Sequence, residues 1–230
     1  MNVKIKYLLT SIIAMGLFMF VIFSIVLEVT AFDIDFYKYE YERLNIPQYT
    51  GMPLQDLVKV TRHLFSYINN NASSLQVKAV IHGKEQYVFN SREIAHMKDV
   101  KVLFNKGYTS RYIAFLLLLI MLLLLYLTTK GKTLLYLAKG YIIWLIIVII
   151  LLMVLFLFIS EDFMSFWIQF HHMLFDNDLW LLDPDTDILV NMVPEEFFFD
   201  LTYKILKRFL IIEVSIGIAC TLFLKKYRTV

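Results

Sequence analysis

His96 lies among residues that favour proton transfer. Glu93 precedes it by three residues and Asp99 follows it by three, in a segment with helical spacing. A carboxylate at this spacing shares a helix face with the imidazole, where it can fix the tautomer and raise the pKa of the ring. Other interpretations stay open. Glu93 can close a capping box with Asn90, Asp99 can be a solvated charge, and His96 can be a structural core histidine.

His171 and His172 are neighbours that point in different directions on a helix. His171 follows Trp167 by one turn and lies beside Phe170 and Phe175. Its imidazole is therefore expected on the apolar side of the helix, where desolvation favours the neutral form that acts as a base. His172 shares its face with polar residues and is expected to point to water. The alternative for His171 is an interfacial histidine whose tip reaches water.

Several other kinds of chemistry have no support in the sequence. It contains no Gly-x-Ser-x-Gly elbow, no His-Glu-x-x-His pair and no phosphate-binding loop. The single cysteine, Cys220, excludes an intrachain disulfide and a thiolate metal site. Glu93 and His96 match one half of a di-iron ligand pattern, but the second copy that the pattern needs is missing. We predict no metal and no other cofactor, and a net charge of +2 does not suggest a nucleic-acid partner.

The composition indicates an α-helical integral membrane protein. Hydrophobic residues make up 59% of the 230 residues, and charged residues only 18%, which is unlike an ordinary water-soluble domain. Apolar stretches predict four transmembrane helices, over residues 7–27, 112–129, 140–160 and 207–224. The fourth is weaker because Glu213 interrupts it, and we expect this acid to snorkel or to have a paired structural role.

The distribution of lysine and arginine predicts the orientation. Basic residues lie before the first apolar stretch, in the turn 130–139 and after the fourth stretch. The positive-inside rule then places these segments and both termini in the cytoplasm. Segments 28–111 and 161–204 are left outside, as a small, mostly helical extracellular cap. The start of the chain also fits a signal peptide that ends near Ala31, but its apolar run of about 20 residues exceeds the usual 7–15.

Local patterns give the elements of the predicted cap. Tyrosines alternate at positions 37, 39 and 41, which predicts a short extended stretch within 33–50. The remaining patterns predict helices over 53–68, 91–104 and 161–175, a strand-like segment at 77–89 with a turn at 82–84, and a helix that starts near Pro194 and continues into the fourth apolar stretch. The helix at 161–175 has an aromatic face suited to the plane of a membrane interface.

Four groups of residues carry a resemblance to a known family. They are Tyr-Thr-Gly-Met at 49–52, Arg-Glu-Ile-Ala-His-Met-Lys-Asp-Val at 92–100, Phe-His-His-Met-Leu-Phe at 170–175, and the tail from Trp180 to Asp187 with Pro194 and 198–200. With these residues the chain resembles the lipoprotein intramolecular transacylase family of bacterial membrane proteins. The likeness extends over essentially the whole chain, including the four spans and the cap.

The resemblance implies a reaction and its partners. The family moves the acyl chain at the glyceryl sn-2 ester of a diacylglyceryl-cysteine lipoprotein to the α-amino group of the same cysteine, which gives a lyso-form lipoprotein. The implied partners are these lipoproteins and membrane lipid, and the implied location is the bacterial cell membrane. Because the substrate amine is itself the nucleophile, no catalytic Ser or Cys is required, and two groups that titrate near neutrality suit the proton transfers.

The resemblance also implies site residues. His96 and His171 match the family's two catalytic histidines, and we favour His171 as the base. We expect Glu93 and Asp99 to orient them. The predicted substrate pocket is aromatic and consists of Phe170, Phe175, Trp180 and Phe198. The alternative function is a non-enzymatic membrane protein whose cap binds a lipid or an envelope protein. A membrane hydrolase is a third possibility.

Overall fold

The computed structural model describes residues 3–228, with the side chains of residues 4–157 and 162–227. The described residues form nine helices and one hairpin: α1 (Val3–Ala31), α2 (Ile34–Arg43), α3 (Ile46–Thr50), α4 (Leu54–Ile68), β1 (Lys78–Ile81), β2 (Lys84–Tyr87), α5 (Ser91–Thr128), α6 (Thr133–Glu161), α7 (Phe163–Leu174), α8 (Ile188–Met192) and α9 (Glu195–Arg228). The chain divides into two compact units. Unit 1 contains the described residues of Met1–Glu28, Gly107–Glu161 and Lys204–Val230, and unit 2 contains Val29–Lys106 and Asp162–Tyr203.

Within the described part of the chain, three helices are long and apolar enough to cross a membrane. The qualifying segments are Lys4–Ala31, Ser91–Thr128 and Thr133–Leu157. They contain the first predicted span, all but the last residue of the second, and most of the third. α9 is one continuous helix of 34 residues. Every 18-residue stretch of α9 carries at least three charged residues, including Glu213 in the most apolar part. The fourth span therefore remains a prediction.

Unit 1 is held together by close helix contacts. The α1–α6 contact is close because Gly140 has no side chain: a Cβ at this position would lie 2.8 Å from the backbone of Ser11. Trp144 of α6 donates an indole hydrogen bond to the carbonyl oxygen of Ile12, at 2.5 Å. Small residues at such contacts let two backbones approach.

Glu213 of α9 has a paired structural role, which is one of the two roles that its sequence position suggested. Its side chain is fully buried. The hydroxyl of Tyr141 hydrogen-bonds to the Glu213 carboxyl group and lies 2.9 Å from the Glu213 carbonyl oxygen. The acid is thus held inside unit 1 by a tyrosine of α6.

The prediction of an extended stretch within 33–50 is wrong, because this segment forms α2 and α3. The side chain of Asp33 caps α2 by accepting a hydrogen bond from the backbone N–H of Phe36 at 3.3 Å. Tyr37 and Tyr41, one turn apart, are buried, whereas Tyr39 is 61% exposed. The three alternating tyrosines thus belong to an amphipathic helix. Tyr37 and Tyr41, four residues apart, lie on its buried face, and Tyr39 lies on the opposite face.

The other local predictions in unit 2 are confirmed. Helix 53–68 is α4, helix 161–175 is α7, and the helix expected near Pro194 is α9. The helix expected over 91–104 is present as the first part of α5. The segment 77–89 contains the antiparallel pair β1–β2, in which Ile81 faces Lys84. His82 and Gly83 connect the strands with φ of 49° and 79°, as a two-residue hairpin turn of type I′ requires.

We predict that Gly140→Ala lowers the thermal midpoint of unfolding in detergent micelles. The added methyl group has to move the backbone of Ser11, and overpacking of this kind costs about 1–3 kcal/mol. Gly107→Ala is the control, since it lies in α5 and its new Cβ would meet no described heavy atom within 4 Å beyond its chain neighbours and the adjoining backbone of the same helix. Alanine is the better helix former there by about 1 kcal/mol, so the control keeps or raises the midpoint. Equal midpoints for the two variants would contradict the close α1–α6 contact.

Candidate active site

Unit 2 brings the two predicted histidines together. His96 lies in the second turn of α5, and His171 lies in the last turn of α7. Their ring centroids are 6.2 Å apart, with an angle of 40° between the ring planes. His96 is 8% exposed and His171 is 5% exposed, whereas His172 is exposed, as the helix pattern predicted. Two buried imidazoles from distant parts of the chain are thus close neighbours.

The backbone of α7 fixes the tautomer of His171. Nδ1 of the ring lies 2.8 Å from the carbonyl oxygen of Trp167, one turn earlier. A carbonyl oxygen only accepts hydrogen bonds, so Nδ1 carries the proton of the neutral ring and Nε2 keeps the lone pair. Burial lowers the pKa of His171, although the bond to Trp167 opposes the shift. At neutral pH, His171 is therefore an uncharged base with Nε2 as its basic atom.

His96 is also neutral at pH 7. Burial lowers its pKa to about 4, and the neighbouring His171 adds to the fall while Asp99 opposes it. Its Nδ1 is buried and has no hydrogen-bond partner among residues 3–228. A buried polar atom of this kind costs about 1–3 kcal/mol, and few are found in native proteins. The site therefore contains a second imidazole with an unused ring nitrogen.

Aromatic rings surround the histidine pair. Trp180 stacks on His171 at 4.8 Å between ring centroids, and Phe175 lies 5.5 Å from His96 and 5.8 Å from His171. Phe170 meets the edge of His171 at 5.6 Å. Three of the four predicted pocket residues thus contact an imidazole.

Two further aromatic residues complete this surface. Trp167 meets His171 edge-on at 4.3 Å, and Phe198, the fourth predicted pocket residue, packs on Trp167 at 4.2 Å. Trp167 was not among the predicted pocket residues, although its one-turn spacing to His171 was visible in the sequence. It contributes both the ring beside His171 and the carbonyl that fixes its tautomer.

Glu93 joins the start of α5 to the start of α8. Its carboxylate accepts hydrogen bonds from the backbone N–H groups of Asn90, at 2.7 Å, and Leu189, at 2.6 Å. The side-chain oxygen of Asn90 accepts a hydrogen bond from the backbone N–H of Glu93 at 3.0 Å. This completes the capping box that the sequence suggested. Glu93 is 1% exposed. It therefore satisfies backbone donors at the beginning of two helices.

Asp99 connects α5 to the loop 175–187, which carries Trp180. It accepts a hydrogen bond from the side chain of Asn177 at 3.0 Å. Arg92, two turns earlier, donates to the carbonyl oxygen of Asp178 at 2.5 Å. The loop is therefore attached to α5 at points before and after His96.

A cleft of about 180 Å³ adjoins the histidine pair. Phe175, which contacts both imidazoles, also forms part of its wall. The cleft is lined by polar and apolar side chains in equal number: Asp99, Lys106, Asp176 and Asn177, with Val102, Leu103, Leu174 and Phe175. Such a lining suits an amphiphilic ligand.

Comparison with known proteins identifies the family. Residues 12–198 match the family model of the lipoprotein intramolecular transacylase Lit. The structure of the membrane-integral Lit from Bacillus cereus matches with a TM-score of 0.76 and 24% identity, over 99% of this chain and 100% of that chain. A histidine-to-alanine variant of that protein matches with a TM-score of 0.75 and 23% identity, over 99% of this chain and 97% of that chain. No curated protein matches.

These findings confirm the resemblance that the sequence motifs predicted. At this level of identity the two solved structures establish a common fold. The family match covers most of the chain, and both buried histidines lie within it. The chain therefore belongs to the lipoprotein intramolecular transacylase family, a family of acyltransferases.

Proposed function

We propose that this chain transfers the sn-2 acyl group of a diacylglyceryl-cysteine lipoprotein to the α-amino group of the same cysteine. The observation that supports this proposal most strongly is the hydrogen bond between Nδ1 of His171 and the carbonyl of Trp167, because it leaves Nε2 as a base. The second neutral imidazole, His96, lies beside it. Family membership supplies the reaction class, and the Bacillus cereus relative is named for the same activity.

The first step forms the amide bond. The α-amino group, with a pKa of about 7.7–8.0 in its free form, attacks the carbonyl carbon of the ester. As the C–N bond forms, the π electron pair of the carbonyl moves to its oxygen. Nε2 of His171 takes the proton that the nitrogen loses. A base with an accessible lone pair at neutral pH is what this step requires.

The second step releases the glyceryl oxygen. The carbonyl re-forms, the bond from the acyl carbon to the glyceryl oxygen breaks, and this oxygen needs a proton. We assign the delivery of this proton to a ring N–H of His96. The proton held on His171 then passes to His96 and restores that N–H. The net change is one proton moved from nitrogen to oxygen, and every substrate atom is retained in the product.

The aromatic rings have a positioning role in this scheme. The amine and the ester belong to one flexible substrate, and both have to meet at His171. We infer that Trp180, Phe175 and Phe170 confine the glyceryl ester while the adjoining cleft accepts more polar parts of the substrate. Correct orientation of reacting groups can lower a barrier by about 7–11 kcal/mol.

The carboxylates have a supporting role in this proposal. Glu93 holds the beginning of α5 and α8, and Asp99 holds the loop that carries Trp180. We infer that both orient the histidine pair through these attachments. The loop and the helix start thus keep the rings beside His171 in place.

We also propose the predicted topology for this chain, with α9 as a fourth span and both termini in the cytoplasm. Basic residues at the corresponding ends of the apolar segments support it. Unit 2 then faces the outer side, where the ester groups of a lipoprotein lie.

We predict that His171→Ala and His96→Ala each reduce acyl transfer by about 10²–10⁴-fold, the usual contribution of a general acid or base. Activity is measured by tandem mass spectrometry of a tagged diacylglyceryl lipoprotein incubated with the purified chain. The product carries an N-acyl group and one remaining S-glyceryl ester at unchanged total mass. His63→Ala is the control, since its Nε2 lies 2.9 Å from the carbonyl oxygen of Ser74 and it has no role in this scheme.

The outcomes separate the candidate functions. Full activity in either histidine variant would contradict the mechanism. An unmodified substrate with the wild-type chain would favour a binding protein, and a substrate that lacks one acyl chain would favour a hydrolase.

We further predict that burial of His96 makes stability depend on pH. In the unfolded chain a histidine has a pKa of about 6.5, and in the fold the pKa of His96 is about 4. Between these values the unfolded state binds a proton that the folded state does not, so stability falls as the pH decreases. From pH 7 to pH 5 this amounts to about 2 kcal/mol.

The measurement is chemical denaturation at pH 7 and pH 5 in the same detergent. His96→Asn has no titrating ring at this position, so its loss of stability over this interval is smaller than that of the wild type. An equal loss in both chains would show that His96 titrates normally in the fold.

A further inference from the structure

The indole N–H of Trp180 is a buried hydrogen-bond donor without a partner. Trp180 is 8% exposed, and its Nε1 contacts no acceptor within the part of the chain that the structure describes. An indole nitrogen can only donate. Buried donors of this kind are few in native proteins, and each calls for an explanation.

This donor lies beside the proposed base. The indole and the imidazole of His171 are stacked, with centroids 4.8 Å apart and 24° between their planes. An indole N–H lies in the plane of its ring, so this donor belongs to a ring that is stacked directly on the imidazole of the proposed base.

The loop around Trp180 is fixed. The side chain of Asn177 donates to Asp99 at 3.0 Å, and Arg92 donates to the carbonyl oxygen of Asp178 at 2.5 Å. The backbone N–H of Leu182 donates to the carbonyl of Trp180 at 2.9 Å. A donor held in this way needs little reorganisation when a substrate arrives, which is the property of an oxyanion-stabilising group.

We propose that the N–H of Trp180 donates a hydrogen bond to the oxygen of the ester carbonyl during acyl transfer. This inference rests on the proposed function. When the amine attacks, the C–N bond forms and the carbonyl π pair moves to this oxygen, whose negative charge the N–H stabilises without giving up its proton. When the pair returns, the carbonyl re-forms, the bond to the glyceryl oxygen breaks, and the hydrogen bond weakens.

Trp180 suits this role better than His96, whose buried Nδ1 also has no partner in the described part of the chain. An imidazole exchanges protons and is assigned here to proton delivery, whereas an indole stays protonated throughout the reaction. The aromatic surroundings also exclude water, which increases the effect of a fixed donor on developing charge.

The test replaces the N–H and little else. β-(3-Benzothienyl)alanine, which has sulfur in place of the indole N–H, is introduced at position 180, and Trp180→Phe is a second variant. Transfer rates are measured with a diacylglyceryl lipopeptide, and thermal midpoints are measured in the same detergent. We expect kcat to fall about 10²–10³-fold with KM nearly unchanged, because the interaction is strongest in the transition state. The midpoint stays the same or rises, because no buried donor is left unsatisfied.

The same replacement at Trp144 is the matched control. Its N–H donates to the carbonyl oxygen of Ile12 at 2.5 Å, so its loss lowers the thermal midpoint and leaves kcat unchanged. Three outcomes at position 180 would overturn the role of Trp180: an unchanged kcat, a rise in KM alone, or a fall in kcat together with a lower midpoint. In each of these cases, transfer by the wild-type chain still supports the proposed function. A wild-type chain that transfers no acyl group would overturn both.

Discussion

The hydrogen bond from Nδ1 of His171 to the carbonyl oxygen of Trp167 is the interaction on which the proposed chemistry depends. It assigns one ring nitrogen a structural role and leaves the other basic. Because the partner is a backbone carbonyl of the same helix, the orientation of the imidazole is as well defined as α7 itself. Burial keeps the ring uncharged, so it is a base throughout the neutral pH range.

Keeping two imidazoles neutral and buried has a cost that the rest of unit 2 offsets. Stacking and edge contacts from Trp180, Trp167 and Phe175 replace the lost hydration of the rings with apolar contact. Glu93 accepts hydrogen bonds from the backbone N–H groups of Asn90 and Leu189 at the starts of two helices, and the N–H of Leu189 would otherwise be buried without a partner. Among residues 3–228, two buried ring nitrogens remain without a partner, on His96 and Trp180. Such exceptions are expected where a site is arranged for a substrate rather than for stability alone.

Local spacing was sufficient to predict the features that depend on one helix. The burial of His171 and the exposure of His172 follow from their positions relative to Trp167 and Phe170, and the capping box of Asn90 and Glu93 is a four-residue pattern. The tyrosines of α2 were misinterpreted because three alternating residues fit a strand as well as a helix. Only the burial of Tyr37 and Tyr41 against Phe197 distinguishes the two.

Local spacing did not predict the contacts between distant segments of the chain. Nothing in the local sequence indicates that Glu93 accepts a hydrogen bond from Leu189, or that Asp99 holds Asn177. The stacking of Trp180 on His171 likewise depends on how the loop 175–187 attaches to α5. The sequence motifs grouped these residues through family resemblance, and the folded unit supplies the physical reason for the grouping.

We propose that the histidine pair transfers an acyl group within a single substrate molecule. The most direct measurement is a crossover experiment with an equimolar mixture of two diacylglyceryl lipopeptides, of which one has deuterated acyl chains and a different peptide mass. Transfer within one molecule predicts that each N-acylated product keeps its own label. Products that combine the acyl label of one substrate with the peptide of the other, or the release of free fatty acid, would contradict it.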